Sequence, residues 1–166
     1  MERPSARHVF ATLVLAAAVV SLALPPLGGP PTVTVENHDQ NRTYRVTAYA
    51  VQDVDQPAGL TFEATDDDRR VRVGFEDAFW ATTGEYRNVT LGTPYGANAS
   101  AIVPAGENAT VELEGYDREP VVVYVVEFAG SERVVHVDGT RCNKPDQSVT
   151  VAIDDGDFQN GSSVCA

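Results

Sequence analysis

The chain contains few of the side chains from which catalytic and cofactor sites are built. Its 166 residues include two Cys, three His, one Trp and a single Met at position 1. A blue-copper centre needs two His, a Cys and usually a Met, and a zinc site needs Cys and His at ligand spacing. Neither set occurs, and no G-x-S-x-G nucleophile motif is present. The sequence therefore predicts a protein that is not an enzyme and has no cofactor.

Basic side chains are also scarce. Twelve Lys and Arg residues, of which only Lys144 is a lysine, stand against 24 Asp and Glu residues, so the formal charge is −12. Such a surface repels nucleic acid and anionic lipid headgroups, which predicts no nucleic-acid partner. Strong acidity with so little Lys resembles that of proteins from salt-loving archaea, where molar salt shortens the Debye length to about 3 Å and screens the repulsion.

Long apolar runs are confined to the N-terminus. Arg3 and Arg7 precede an uncharged apolar segment, residues 9–24, and a proline pair follows it. Positive residues before such a run place the remainder of the chain outside the cytoplasm. A helix of this length spans about 24 Å, less than a hydrocarbon core of about 30 Å. Residues 1–29 are thus predicted to be either a signal peptide cleaved after Ala23 or an uncleaved membrane anchor.

Glycosylation acceptors are present in excess. The chain has seven Asn, and Ser and Thr make up 21 of its 166 residues, so chance would give about one Asn-x-Ser/Thr sequon. Five occur, and they predict a glycosylated surface outside the cytoplasmic membrane. The acceptor residues are Asn41, Asn88, Asn98, Asn108 and Asn160.

Residues 30–166 show a repeated two-residue alternation of apolar and polar side chains, which is typical of strands. The predicted strands are 32–36, 44–49, 60–64, 70–75, 88–91, 100–103, 110–114, 121–128, 133–137 and 148–153. Spacing of about ten residues between Gly, Pro, Asn and Asp turns favours an all-β, antiparallel sandwich of two sheets. Residues 121–126 (VVVYVV) are apolar throughout, which predicts a central strand covered on both faces. Residues 76–86 are least strand-like and could hold a helical turn.

Two segments carry a resemblance to a known family. They are TVTVENHDQNRTYRVTAYAV, residues 32–51, and IVPAGENATVEL, residues 102–113. The V-x-N at the end of the first predicted strand, residues 35–37, and the PAGENATV run of the second segment resemble immunoglobulin-like sandwich domains of exported, membrane-anchored haloarchaeal proteins. The resemblance extends over most of residues 32–137 and implies the fold and the cell surface, but no site residues. True immunoglobulin domains place paired cysteines around a Trp between the sheets. Here Trp80 lies between predicted strands, and both cysteines come later.

The two cysteines, Cys142 and Cys165, are an even pair in a chain predicted to be exported, which favours a disulfide. Such a bridge would clamp the C-terminal segment and stabilise the fold by about 3 kcal/mol in the chain-entropy model. Two free thiols are the alternative.

Four further features of the sequence are candidate functional sites. An acidic cluster, Asp154, Asp155 and Asp157, is a weak cation candidate because a glycine turn interrupts it, although it does not match a calcium-loop pattern. Asp66 to Asp68 precede two arginines and predict a charged hairpin tip. His136 lies within a strand pattern and is predicted to face solvent. Several aromatics are predicted to form a core cluster, with a sugar-binding face as the alternative. They are Phe75, Phe79, Trp80, Tyr86 and Tyr95.

We therefore expect a non-enzymatic, extracytoplasmic cell-surface module that acts in adhesion, in the envelope or as an accessory subunit. Its partner would be a protein or glycan at the cell surface, with the membrane as a second contact if residues 9–24 are not cleaved. A module that binds a small ligand, a carbohydrate or a cation is the alternative, because sandwich folds host both kinds of function.

Overall fold

A computed structural model describes residues 29–80, 86–115, 120–141 and 147–165, and of these it describes Trp80 and residues 159–165 by their backbone alone. The described residues form eleven strands, one short α-helix and a 3-10 turn at Pro57–Gly59. In chain order the elements are β1 (Thr32–Asn37), β2 (Tyr44–Val51), β3 (Thr61–Asp66), β4 (Arg69–Gly74), α1 (Phe75–Trp80), β5 (Arg87–Leu91), β6 (Ala97–Val103), β7 (Asn108–Glu112), β8 (Val121–Phe128), β9 (Val134–Arg141), β10 (Gln147–Asp154) and β11 (Asp157–Cys165).

The strands form three sheets among the described residues. Sheet A has the order β11-β10-β1-β7, sheet B the order β6-β2-β8-β9, and sheet C the order β4-β3-β5. The prediction of a β-sandwich is confirmed, but the prediction of two purely antiparallel sheets is wrong in two respects. A third sheet is present, and β1 pairs with β10 in parallel. Parallel neighbours need a long crossover connection, and here most of the domain lies between these two strands.

Sheet B is the middle layer, because its side chains alternate between two separate cores. On β8, Val122, Tyr124 and Val126 belong to the core shared with sheet A. Their neighbours Val121, Val123 and Val125 belong to the core shared with sheet C. We call these two regions core AB and core BC. The prediction that VVVYVV is covered on both faces is therefore confirmed.

The two outer sheets are assembled differently along the chain. Sheet C is built from one local segment, since β3, β4 and β5 all lie between β2 and β6, which are themselves paired, and β3 pairs with both β4 and β5. Sheet A instead gathers β1, β7, β10 and β11 from distant parts of the chain. The predicted helical turn is found as α1, which packs beside β9.

The sequence pattern did not reveal β11, which pairs with β10 at the edge of sheet A. Its residues are mostly small and polar (DFQNGSSVC), so it lacks the alternation that marks a half-buried strand. Strands at the edge of a sheet often carry polar side chains, which discourage pairing with another chain.

Some predictions fall outside the described residues. Residues 1–28 are among these, so the N-terminal hydrophobic helix and the boundary between residues 1–29 and residues 30–166 stay predictions. The helices that are described are too short and too polar to cross a membrane. Cys142 and the side chain of Cys165 also lie outside, so the disulfide stays a prediction.

Candidate functional site

The two segments that carry the family resemblance meet at the end of β1. Asn37, which is 2% exposed, places its amide Nδ2 within hydrogen-bond distance of the carbonyls of Arg42 (2.8 Å), Val103 (3.2 Å) and Pro104 (2.9 Å). The Asn37 backbone N–H also donates to the Glu107 carbonyl at 2.9 Å. Asn37 therefore ties the β1–β2 turn to the β6–β7 turn, which gives the V-x-N and PAGE phrases a common structural purpose.

The same turn holds a buried carboxylate. Asp39 is 5% exposed, and it accepts a short hydrogen bond from the Tyr44 hydroxyl, while its own N–H donates to Asn37 Oδ1 at 3.0 Å. The Arg42 guanidinium lies 4.0 Å from Asp39 Oδ2. Burial and the hydrogen bond to Asp39 raise the pKa of Tyr44 to about 12. Asp39 thus acts as a satisfied structural acceptor in a packed turn.

A polar cleft of about 320 Å³ opens beside this turn. It is lined by residues 38–42 from the β1–β2 turn and by Asp154 and Asp155 from the β10–β11 turn. Gly156 adopts φ +83, and a Cβ there would lie 2.5 Å from Arg42 Nη1. A side chain at this position would therefore meet both backbone strain and the guanidinium. The cleft is a concave, polar feature that is large enough for a small polar ligand.

The acidic cluster borders this cleft but does not converge. Asp154 and Asp157 are cross-strand partners on either side of the Asp155–Gly156 turn. Within the described ranges, no group of three His, Cys, Asp or Glu side chains is arranged to hold a metal ion. Because Arg42 lies against the turn, its positive charge opposes a cation there. The cation site stays a prediction without support from the geometry.

A second buried carboxylate joins sheet B to sheet C. Glu127 is 3% exposed; its Oε2 accepts from Arg45 Nη2 at 2.9 Å and Nε at 3.1 Å, and its Oε1 accepts from the Val89 N–H at 3.2 Å. Arg45 Nη1 also reaches Glu132 at 3.3 Å. Burial raises the pKa of Glu127, and the bonds from Arg45 and Val89 oppose that rise. The Arg45–Glu127 pair and its bond to Val89 join sheets B and C, and no local sequence pattern predicts this link.

His136 corrects a prediction. It was expected to face solvent, but it is half-buried, and its ring stacks on Phe158 of β11 at 4.6 Å and 7°. Phe79 of α1 and Tyr124 of β8 lie near the same ring. Burial lowers the pKa of His136. The expectation failed because α1 and β11 cover this edge of sheet B, and neither covering was visible from the strand pattern.

The aromatic residues divide as follows. Phe75 stacks on Phe79 at 6.0 Å and lies 6.3 Å from Phe62. Phe75 and Tyr86 pack against core BC, so the core interpretation is confirmed for these two residues. Tyr95 is different, because it is 44% exposed and contacts Tyr49 edge to face at 5.0 Å. The Trp80 side chain lies outside the described residues.

The predicted hairpin tip at Asp66 to Asp68 is present. Asp66 pairs with Arg69 across the β3–β4 turn, and both intervening aspartates have positive φ, 41° and 63°. Such angles are typical of the tight turns that join two strands of a hairpin.

The sequons occupy turns and sheet edges. The side chains of Asn41, Asn88, Asn98 and Asn108 are all exposed, whereas Asn37, which is not in a sequon, is buried. Four acceptor residues lie on β5, β6, β7 and β11, and each of these strands is at the edge of its sheet. These are Asn88, Asn98, Asn108 and, known from its backbone alone, Asn160. The fifth, Asn41, lies in the β1–β2 turn.

The chain was also compared with known families and structures. A family described as halobacterial Ig domain protein matches residues 3–166. No curated protein matches. A chain in the structure of a disulfide-locked mutant of intermedilysin with human CD59 is 9% identical and matches 82% of this chain and 24% of that chain. This chain thus spans only a minor part of that chain's length, and the TM-score of 0.30 is too low to argue from.

Proposed function

The chain belongs to the halobacterial Ig domain family, and on that premise we propose that it is a non-enzymatic, extracytoplasmic cell-surface module. It acts in adhesion, in the envelope or as an accessory subunit. Its partner is a protein or glycan at the cell surface, and the membrane is a second contact if residues 9–24 remain uncleaved. The charge of −12 makes nucleic acid an unsuitable partner.

The observation that carries this proposal is the division among the asparagines. The four sequon residues with described side chains are exposed, and they lie in a turn or on edge strands, where a glycan can project without disturbing a core. The buried Asn37 lacks a sequon. Five glycosylation acceptors, four of them on edge strands, are expected of a protein that meets the glycosylation machinery outside the cytoplasm.

The proposed non-enzymatic role is supported by the bonding of the two buried carboxylates in the described part of the chain. Asp39 accepts from Tyr44, and Glu127 accepts from Arg45 and the backbone of Val89. Catalytic acids and bases need a free face towards a substrate. Both carboxylates instead accept hydrogen bonds from other groups of the protein, and these bonds hold turns and sheets together.

The test is to produce the full chain in a haloarchaeal host and to map glycopeptides by mass spectrometry after cell fractionation. We expect sugar on peptides that contain Asn41 and Asn108, recovery with the membrane or the medium, and release by external protease from intact cells. Cleavage at Asp39 separates Asn37 from Asn41, and the resulting peptide that contains Asn37 is the internal control and should carry no sugar. Bare protein in the cytoplasmic fraction would overturn the proposal.

The same material decides between the two fates of the N-terminus. An end at Leu24 in the mature protein would indicate a signal peptide cleaved after Ala23. A peptide that still contains residues 9–24, recovered with membranes, would indicate an anchor.

The cleft beside Asp154 is the observation that favours the alternative, a module for a small ligand, carbohydrate or cation. A ligand present at 100 times its Kd should stabilise the fold by about 2.7 kcal/mol. Thermal unfolding with calcium chloride and with a panel of sugars measures this directly. An unchanged melting temperature throughout removes the alternative, and a clear rise with one compound would favour it over adhesion.

A further inference from the structure

Two large apolar side chains are exposed among the described residues, and both flank one sequon. Tyr95 is 44% exposed and Ile102 is 54% exposed, and Asn98 lies between them in the chain. We call Tyr95, Asn98, Ser100 and Ile102 the β6 strip.

The register of sheet B places this strip on one face. Asn98 pairs with Tyr49, Ser100 with Thr47, and Ile102 with Arg45, so the three β6 side chains share the face on which core BC lies. Sheet C covers that face over β8 but leaves the outer strand β6 exposed, as the alternating exposure of β6 shows. The strip is therefore an uncovered margin of an otherwise buried sheet face.

Tyr95 is held beside the acceptor. Its ring contacts the buried Tyr49 edge to face, with centroids 5.0 Å apart and planes at 66°. The Asn98 amide Nδ2 donates to the Tyr95 hydroxyl at 3.3 Å. The atom to which a sugar would be attached therefore lies beside the hydroxyl of a tyrosine whose ring packs on a second, buried tyrosine.

We propose that an N-linked glycan on Asn98 lies along the β6 strip, with its first sugar against the Tyr95 ring and its next residues over Ile102. This inference rests on the proposed extracytoplasmic location. Attachment replaces one Nδ2–H bond with a bond to the anomeric carbon of an activated, phosphate-linked sugar, and the proton leaves with the phosphate. The remaining N–H can still donate to the tyrosine hydroxyl. Sugar C–H faces are weakly apolar and pack on aromatic rings, so the glycan covers surface that would otherwise face solvent.

The chain offers a matched control in the neighbouring sequon. Asn108 is also exposed and also lies on an edge strand, but the residue three positions before it is Ala105, not an aromatic. A glycan there has no aromatic ring at the position that corresponds to Tyr95. The two sites therefore differ in the feature that the proposal depends on.

The test is a double-mutant cycle on glycosylated protein. Ser100→Ala removes the Asn98 sequon and leaves Asn98 and Tyr95 in place, and Asn108→Gln removes the Asn108 sequon and leaves the hydrogen bond between the Thr110 and Thr34 hydroxyls in place. We expect Ser100→Ala to lower the melting temperature by about 3 °C and Asn108→Gln to change it by less than about 1 °C. In a Tyr95→Ala background, Ser100→Ala should have no further effect, whereas in a Tyr95→Phe background its effect should remain.

Each outcome bears on one proposal or on both. If Asn98 carries sugar but Ser100→Ala and Tyr95→Ala add independently, the packing proposal is overturned and the cell-surface proposal stands. The same holds if Asn41 and Asn108 carry sugar while Asn98 is bare. If every sequon is bare in the haloarchaeal host, both proposals are overturned. Should Tyr95→Ala not fold, Tyr95→Leu, which keeps apolar volume without a ring, completes the cycle.

Discussion

The two faces of sheet B are covered in different ways. Core AB is closed by four strands drawn from the beginning, middle and end of the domain, and it runs the full width of sheet B from β6 to β9. Core BC is closed by sheet C, which is built from one local segment and leaves the β6 strip uncovered, and the Arg45–Glu127 ion pair lies at the margin of this core. The face covered by sheet A thus depends on strands from the whole chain, whereas the face covered by sheet C depends on the single segment between β2 and β6.

The largest test of this difference uses two buried apolar residues. Phe62→Ala in core BC should cost about 4 kcal/mol of unfolding free energy, and Ile153→Ala in core AB about 3 kcal/mol, because both side chains are fully buried. Hydrogen exchange separates them. Phe62→Ala should speed exchange mainly in β3, β4 and β5, and Ile153→Ala should speed it across sheets A and B. A uniform loss of protection in both variants would contradict the comparison.

Arg45→Met tests the polar margin of core BC. It leaves Glu127 buried without its main partner, and we expect a cost of about 3 kcal/mol by chemical denaturation. Arg72→Met, which removes an exposed pair with Glu63, is the control and should change stability by less than about 0.5 kcal/mol.

The pH dependence of Arg45→Met has a definite sign. A carboxyl whose pKa is raised in the fold contributes its full stability below its ordinary pKa and loses it as the pH rises through the folded value. Burial already raises the pKa of Glu127, and loss of Arg45 should raise it further. The deficit of the variant should therefore be greatest at neutral pH and shrink as the pH falls towards 4. A deficit independent of pH would show that Glu127 is not its cause.

The predicted disulfide would add a tie between sheets A and B. Cys165 pairs in the backbone register with Gln147, and Gln147 Nε2 donates to the Thr140 carbonyl at 3.0 Å, near the start of the segment that contains Cys142. Cys165→Ser should lower stability by at most about 3 kcal/mol, with the same loss on reduction of the wild type. Two thiols titrated in denatured, unreduced protein would show that the bridge is absent.

The smallest effect is expected at the β9 edge. Burial lowers the pKa of His136, so its contribution to stability is present above the ordinary histidine pKa and is lost as the pH falls through the folded value. His136→Phe keeps the stack on Phe158 and removes the titrating group. The gain in stability of the variant over the wild type should be larger at pH 5 than at pH 8, measured by urea unfolding.

Local features of the fold followed from the sequence. Residues 121–128 were predicted with the observed ends, and the helical turn and the Asp66–Arg69 hairpin tip were found where expected. Each depends on contacts between near neighbours, which alternation and turn residues report directly. The sequon motif likewise identified exposed positions, because an acceptor has to be accessible.

Features that depend on how the sheets pack against one another could not be predicted from the sequence. Alternation shows that a strand has an apolar face, but it does not show which sheet covers that face, so sheet C was merged into a two-sheet sandwich. Residue His136 was misjudged for the same reason, since α1 and β11 cover it from remote positions. The ties made by Asn37 and Glu127 join segments more than 35 residues apart, and a single sequence carries no signal for such pairs.

The parallel pairing of β1 with β10 sets the timing of assembly. Thr32 and Ser148, which meet across these strands, are 116 residues apart in sequence. During synthesis β1 is therefore left with one neighbour at most until nearly the last strand is available, and such distant closure is slow. Sheet A therefore closes last, after every strand of sheets B and C is available, and its four strands should be the slowest part of the fold to form.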